Sequence, residues 1–275
     1  MLTKAENRLL TGSGGWTGCL GILVLTASVE FCAYGQPAPT SAEQDQLLES
    51  MHRYAAQYVT NLPNFLCVQV TRQLEAGVKS NHWHKGDTLV YKLSFNHGRE
   101  RRGLDLVNGK PADPAKRHWR TPLVTEGEFG LLLSRVLGPT GEAWFTWRGW
   151  ETLRGKRVAV FDYSVDKQHS SLSLSLGDLT KAIVPYNGSV FADPATGAIW
   201  RITDDASEIP LSLMTREIST TIDYDETAIA GKTYLLPVEA VVSLLLDHKK
   251  VRNEIEFQDY RKFEADSSIT FGTVE

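Results

Sequence analysis

The sequence is poor in cysteine and has no surplus of positive charge. Three cysteines occur in 275 residues, and two of them, Cys19 and Cys32, fall in an N-terminal stretch that reads as a removable leader. Cys67 is then alone, and a single thiol cannot close an internal disulfide, so the fold must stand on its packing. Lys and Arg number 29 against 33 Asp and Glu, a formal net charge of −4. A protein that grips nucleic-acid phosphates shows the opposite balance, which argues against a nucleic-acid partner. The apolar run near the N-terminus, CLGILVLTA at residues 19–27, falls well short of the roughly 20 residues that a membrane-spanning helix needs. There is no G-x-S-x-G elbow, no S-x-x-K with its companion motifs and no H-E-x-x-H pair. Those absences remove the commonest nucleophile and zinc signatures, and no cofactor is expected.

The N-terminus has an order of its own. Lys4 and Arg8 come first, then the apolar run, then Ala33-Tyr34-Gly35 with small residues at its first and third positions. That order is a secretory signal peptide, residues 1–35, with cleavage expected after Gly35 and a mature protein exported to the periplasm or beyond. Lys4 and Arg8 are balanced by Glu6 and Glu30, so the mature chain keeps its acidic balance. The sequence WTGC at 16–19 places its cysteine before the apolar run and not at its end, so lipidation there is not expected. Residues 36–40 read as a short Pro-rich linker and residues 41–275 as one domain.

Ser41 with Gln44 forms a capping box, and Leu47, Leu48, Met51, Tyr54, Ala55 and Tyr58 lie beyond it on one helical face until Asn61 and Pro63 stop it. Most of the chain beyond Pro63 alternates with period two. Runs at 65–74, 87–95, 103–107, 143–150, 157–165, 171–176, 181–186, 215–224, 234–246, 251–263 and 268–272 are separated by turn residues. GSVFADPATGAIWRIT at 188–203 adds a hairpin, in which Asp193 caps the turn, Pro194 presets φ and Gly197 supplies positive φ. A second capping box, Thr125 with Glu128, opens a short helix with Phe129, Leu132, Leu133 and Val136 on its apolar face. The fold expected is mainly β (α+β): one strongly curved antiparallel sheet, an incomplete barrel, with two helices across its concave face.

Residues able to carry chemistry are few. Cys67 sits in an apolar strand and reads as a small buried hydrophobe. His82 and His84 share one side of an extended segment, but two ligands fall short of a zinc site. Asp204-Asp205 and Asp223, Asp225 and Glu226 lack the spacing of a calcium loop and read as solvated carboxylates at strand ends. Arg99, Arg101 and Arg102 read as a solvated strand edge, with an anionic ligand as the functional alternative. Asp193 reads as architecture, since Pro194 and Gly197 already account for its turn.

The stretch VFADPATGAIWRIT followed by IDYDETAIAGKTYLLPVEAVV resembles the outer-membrane lipoprotein carrier (LolA/LolB-like) superfamily. The shared layout is Val190-Phe191, Asp193, Thr196-Gly197 and Ile199, then Tyr224, Gly231 and Leu236-Pro237. YVTNLPNFLCVQVTRQ, TEGEFGLLL and NEIEFQDYRKFEADSSITF resemble more closely a family of secreted bacterial proteins with no assigned activity. The carrier resemblance implies an incomplete barrel of about eleven strands, lidded by helices, whose hollow takes acyl chains. The Trp-rich AWFTWRGW segment and the extra residues around 96–150 depart from the carriers.

Alternation then nominates a lining. Tyr91 and Phe95, Phe161 and Tyr163, Ile222 and Tyr224, and Phe257 should face inward, opposite Tyr54 and Tyr58 of the first helix. The leading expectation is a non-enzymatic envelope protein that binds a lipid, an acyl chain or an acylated protein in that hollow. The alternatives are a ligand-free interaction or envelope-regulatory module of the same fold and, with no nucleophile–base pair to support it, a hydrolase.

Overall fold

The computed structural model describes residues 37–113, 128–139, 141–176 and 180–263. The expected leader, Thr125 and the strand expected at 268–272 lie outside them. Helix α1 spans Ser41–Asn61. Its cap is Thr40 and not Ser41. The Thr40 hydroxyl accepts from the Glu43 amide (3.4 Å) and the Glu43 carboxylate accepts from the Thr40 amide (2.7 Å). Both T-x-x-E and S-x-x-Q fit the box, and the ionised carboxylate also suits the positive end of the helix. Leu62, extended ahead of Pro63, ends the helix.

The strands are β1 (Phe65–Gly77), β2 (His84–Asn96), β3 (Arg99–Val107), β4 (Lys110–Pro111), β5 (Trp144–Leu153), β6 (Lys156–Val165), β7 (Ser173–Leu176), β8 (Thr180–Ile183), β9 (Tyr186–Ala192), β10 (Ile199–Ala206), β11 (Thr215–Ile229), β12 (Lys232–Leu246) and β13 (Lys249–Lys262). Eleven of them form one antiparallel sheet in the order β4-β3-β2-β1-β13-β12-β11-β10-β9-β6-β5, open at both ends. The run expected at 181–186 divides at Pro185, where the ladder lacks a donor. Its first part, β8, pairs with β7 in a separate ladder.

Helix α2 spans Leu131–Leu137 and starts later than the sequence suggests. Its cap residue is Gly130, which has no side chain to bond the first turn; Thr125, the expected partner of Glu128, lies outside the described residues. Leu132, Leu133, Val136 and Leu137 of α2, Met51, Ala55 and Tyr58 of α1, and the inward residues of the strands join in one core. The fold is thus a curved open sheet carrying helices across one face. The hairpin turn works as its residues suggest: Asp193 Oδ1 accepts from the Ala195 and Thr196 amides (3.0 and 2.8 Å) and from the Thr196 hydroxyl. Gly197, at φ +72°, has a second reason to be glycine, since a Cβ there would run into the backbone of Ser50 and Met51 in α1.

Candidate functional site

An open cleft of about 490 Å³ lies at the β2–β3 end of the helix-bearing face. Val59 of α1, Phe95 and Gly98, Glu100 and Arg102, and Phe129 to Leu131 with Ser134 line it. The turn at its mouth has positive φ at both His97 (50°) and Gly98 (73°), the tight form that suits a twisted hairpin. The Asn64 side-chain oxygen accepts from the His97 amide (2.9 Å) and fixes that turn. Gly130 lets the segment before α2 press against α1, because a Cβ there would sit 2.5 Å from Val59 Cγ2.

One wall is apolar. Phe95 stacks on Phe65 with ring centroids 5.1 Å apart, and Phe129 meets Phe65, Phe257 and Phe95 at 5.2, 5.4 and 6.1 Å. The rest is ionic. Arg102 lies 2.5 Å from Glu100 and 3.2 Å from Glu128, with the Glu128 side chain only 3% exposed. Burial works against the Arg102 charge, yet Glu128 and Glu100 hold its pKa above the ordinary value. Its guanidinium also lies 5.9 Å from the Tyr91 ring centroid. Arg102 therefore does not belong to a solvated edge. Period two sends Arg99 and Arg101 outward and Glu100 and Arg102 inward.

The nominated residues are gathered on one face, but most lie in packed core. Phe95 borders the cleft. Tyr58, Phe161, Tyr163, Ile222, Tyr224 and Phe257 are buried in the main core cluster, with Tyr54 packed against it. The Tyr58 hydroxyl donates to the Leu235 carbonyl (3.0 Å) and the Tyr224 hydroxyl to the Glu128 carbonyl (3.2 Å). The Tyr163 hydroxyl stands 2.8 Å from the Thr203 carbonyl and 2.9 Å from Asp204 Oδ1. Burial raises the pKa of all three phenols well above its usual range. Tyr91 stands apart, half-buried beside Arg102.

Two aspartates differ from their sequence reading. Asp204 lies within β10 and Asp223 within β11, not at strand ends, and each is 7% exposed. Asp204 pairs with Arg135 of α2, whose guanidinium lies 4.6 Å from the Tyr186 ring centroid. Asp223 takes both forks of Arg201 at 2.9 Å, a bidentate pair. A carboxylate facing a guanidinium can be drawn into a strand interior where a solvated one cannot. Cys67 is buried, and burial, with Glu100 nearby, pushes its thiol up to about 12, which makes it unreactive. His82 and His84 have rings 5.5 Å apart and both are exposed. Among the described residues no group of three or more His, Cys, Asp or Glu is placed to hold a metal ion, and no helix is long and apolar enough to cross a membrane.

Sequence reasoning missed Val59, Glu100, Arg102, Leu131 and Ser134 as cleft residues. The signal that could have found the two charges was the alternation of Arg99-Glu100-Arg101-Arg102, and nothing local marks the others.

No family model matches the chain, and no curated protein matches it. Among solved structures the chain is similar to a LolA superfamily protein from Nitrosomonas europaea, at 9% identity and a TM-score of 0.38, over 80% of this chain and 94% of that one. It is also similar to a DUF1329 family protein from Desulfovibrio piger, at 12% identity and a TM-score of 0.44, over 84% of this chain and 96% of that one.

Proposed function

We propose that the chain is a non-enzymatic cell-envelope protein that binds a lipid, an acyl chain or another apolar ligand on the helix-bearing side of its sheet. The observation that supports this is the open cleft of about 490 Å³, lined by Val59, Phe95, Phe129 and Leu131 together with Arg102 and Glu100. Its volume falls within the roughly 300–1,000 Å³ of small-molecule sites, and an apolar surface with a few polar groups is what such sites offer. Phe95 would touch the ligand directly. Tyr54, Tyr58, Tyr91, Phe161, Tyr163, Ile222, Tyr224 and Phe257 form the layer behind, into which a longer chain would have to insert. An acylated protein could enter by the same chain. Export after cleavage at Gly35 belongs to the same reading.

Titration with a fluorescent fatty acid tests it. Saturable binding is expected, and Ser134→Trp, which fills the cleft from the exposed side of α2, should abolish it at an unchanged melting temperature. A wild-type protein with no saturable binding, and no lipid in its mass spectrum after extraction from cells, would overturn the reading.

One observation favours the alternative of a ligand-free interaction or regulatory module. The hydroxyls of Tyr58, Tyr163 and Tyr224, suited to orient a head group, are already bonded within the protein. Trp144, 73% exposed on the edge strand β5, is then the contact to mutate.

A further inference from the structure

The geometry points to a phosphate-binding site on the opposite, outward face of the β13-β1-β2-β3 end, formed by Arg99, Arg101 and Arg261. The site is independent of the cleft and of any ligand bound there. The register builds it. Arg101 faces Ser94, Ser94 faces Leu66 and Leu66 faces Arg261, one row across four strands spaced about 4.8 Å apart. Arg99, opposite Asn96, lies two residues along β3 from Arg101 and so on the same face. All three arginines are exposed.

Among the described residues their lack of ion-pair partners sets them apart. Arg53, Arg72, Arg102, Arg135, Arg148, Arg154, Arg201, Arg216 and Arg252 each pair with a carboxylate. Arg157 lies over the Trp150 ring. Arg99, Arg101 and Arg261 have no carboxylate within 4.0 Å among the described residues. Asp259, two residues before Arg261, occupies a left-handed position (φ 58°) and makes no ion pair with it. In a chain of net charge −4, three guanidiniums on one face with no carboxylate partner among the described residues, Arg261 about 14 Å along the row from Arg101, produce a local positive potential that selects anions. The surface is also shaped: a pocket of about 650 Å³ is lined by Ser94, Asn96, His97, Arg99, Arg101 and Phe263. Its frame is ordered by the Asn64 side chain on the His97 amide and by the Phe263 amide donating to the Asn64 carbonyl at 3.0 Å. Guanidinium forks match phosphate oxygens in pairs, and Ser94 and Asn96 add neutral hydrogen-bonding groups. The phosphate could be that of a lipid headgroup or free in solution.

The test is flotation of the purified protein with vesicles of phosphatidylglycerol or of phosphatidylcholine, with and without excess inorganic phosphate, alongside direct titration of inorganic phosphate. Binding should favour phosphatidylglycerol or appear in the phosphate titration. It should weaken roughly fivefold for each of Arg99→Gln, Arg101→Gln and Arg261→Gln, and further with added salt. Phosphatidylglycerol binding unmoved by phosphate assigns a lipid headgroup, and phosphate binding that competes it away assigns the free ion. Arg53→Gln, an exposed arginine on α1, should change nothing, and binding of the fatty acid in the cleft should survive all four substitutions. Wild-type protein that binds neither vesicles nor phosphate, a folded triple variant that binds as wild type does, or an equal loss from Arg53→Gln would overturn the proposal.

Discussion

The helix-bearing face carries aromatic side chains along its length, and they meet different surroundings at its two ends. Toward β6, β9 and β10, Phe161, Tyr163 and Tyr186 are covered, and the Tyr163 hydroxyl is spent on Thr203 and Asp204. Toward the β2–β3 hairpin, Phe95 and Phe129 stand beside an open cleft. One segment, residues 128–137, serves both ends. Arg135 ties it to Asp204 at the closed end and Glu128 ties it to Arg102 at the open one. Strand alternation decides which face is apolar. What lies across that face decides whether it becomes core or cavity.

The largest effect should come from breaking the closed end's ion pair. Arg135→Ala leaves the Asp204 carboxylate, 7% exposed, without its cation, and should cost about 3–5 kcal/mol in urea unfolding. A much smaller loss would mean that the closed end is held by apolar packing alone. Next, Tyr163→Ala should cost roughly 3–5 kcal/mol through the cavity it leaves, and Phe95→Ala beside the existing opening should cost less. Equal losses would erase the distinction between the two ends.

A third measurement uses pH. Burial raises the Asp204 carboxyl above its ordinary pKa, with the charge of Arg135 and the bonds from Tyr163 and Arg135 pulling it back in part. The folded chain therefore binds this proton more tightly than the unfolded one. The stability this group contributes is fully present below its unfolded value, near 3.8, and is lost as pH rises through the folded value. Asp204→Asn has no such titration, so the unfolding free energy of wild type minus variant should fall as pH rises through the acid range. A difference that rises would show Arg135 outweighing burial. The smallest effect belongs to the turn between β9 and β10. Asp193→Asn keeps an acceptor for the Ala195 and Thr196 amides and should cost under about 0.5 kcal/mol, whereas Gly197→Ala meets α1 and strains φ, at about 1–3 kcal/mol. Thermal melts of both variants separate capping from contact.

What the sequence revealed and what it concealed divide along chain distance. β1, β6, β11 and β13 could be read because alternation is local, and the Asp193 turn could be read because its side-chain bonds span three residues at most. The ion pairs could not. Arg135 meets Asp204 across 69 positions and Arg102 meets Glu128 across 26. Without those partners an Asp-Asp or an Arg-rich stretch looks like solvent-facing charge. The cap of α1 slipped by one residue because two overlapping boxes satisfy the same pattern. The cleft escaped notice because its walls come from α1, a hairpin and the approach to α2, none of which marks a cavity by itself.

The order of strands has a kinetic consequence. β1 to β4 and β5 to β13 are two runs that meet in the sheet only where β1 pairs with β13, a seam bridged by Arg72 and Glu256, 184 residues apart. Closing it requires a large loop to be drawn in before any contact rewards the cost, so refolding should be slow, in the millisecond-to-second range of sheets dominated by distant pairing. Until residues 249–262 arrive, β1 and β12 present long unpaired edges of the kind that recruit strands from other chains. Aggregation during folding should therefore depend on protein concentration up to the moment the last strand is laid in place, and should fall away after it.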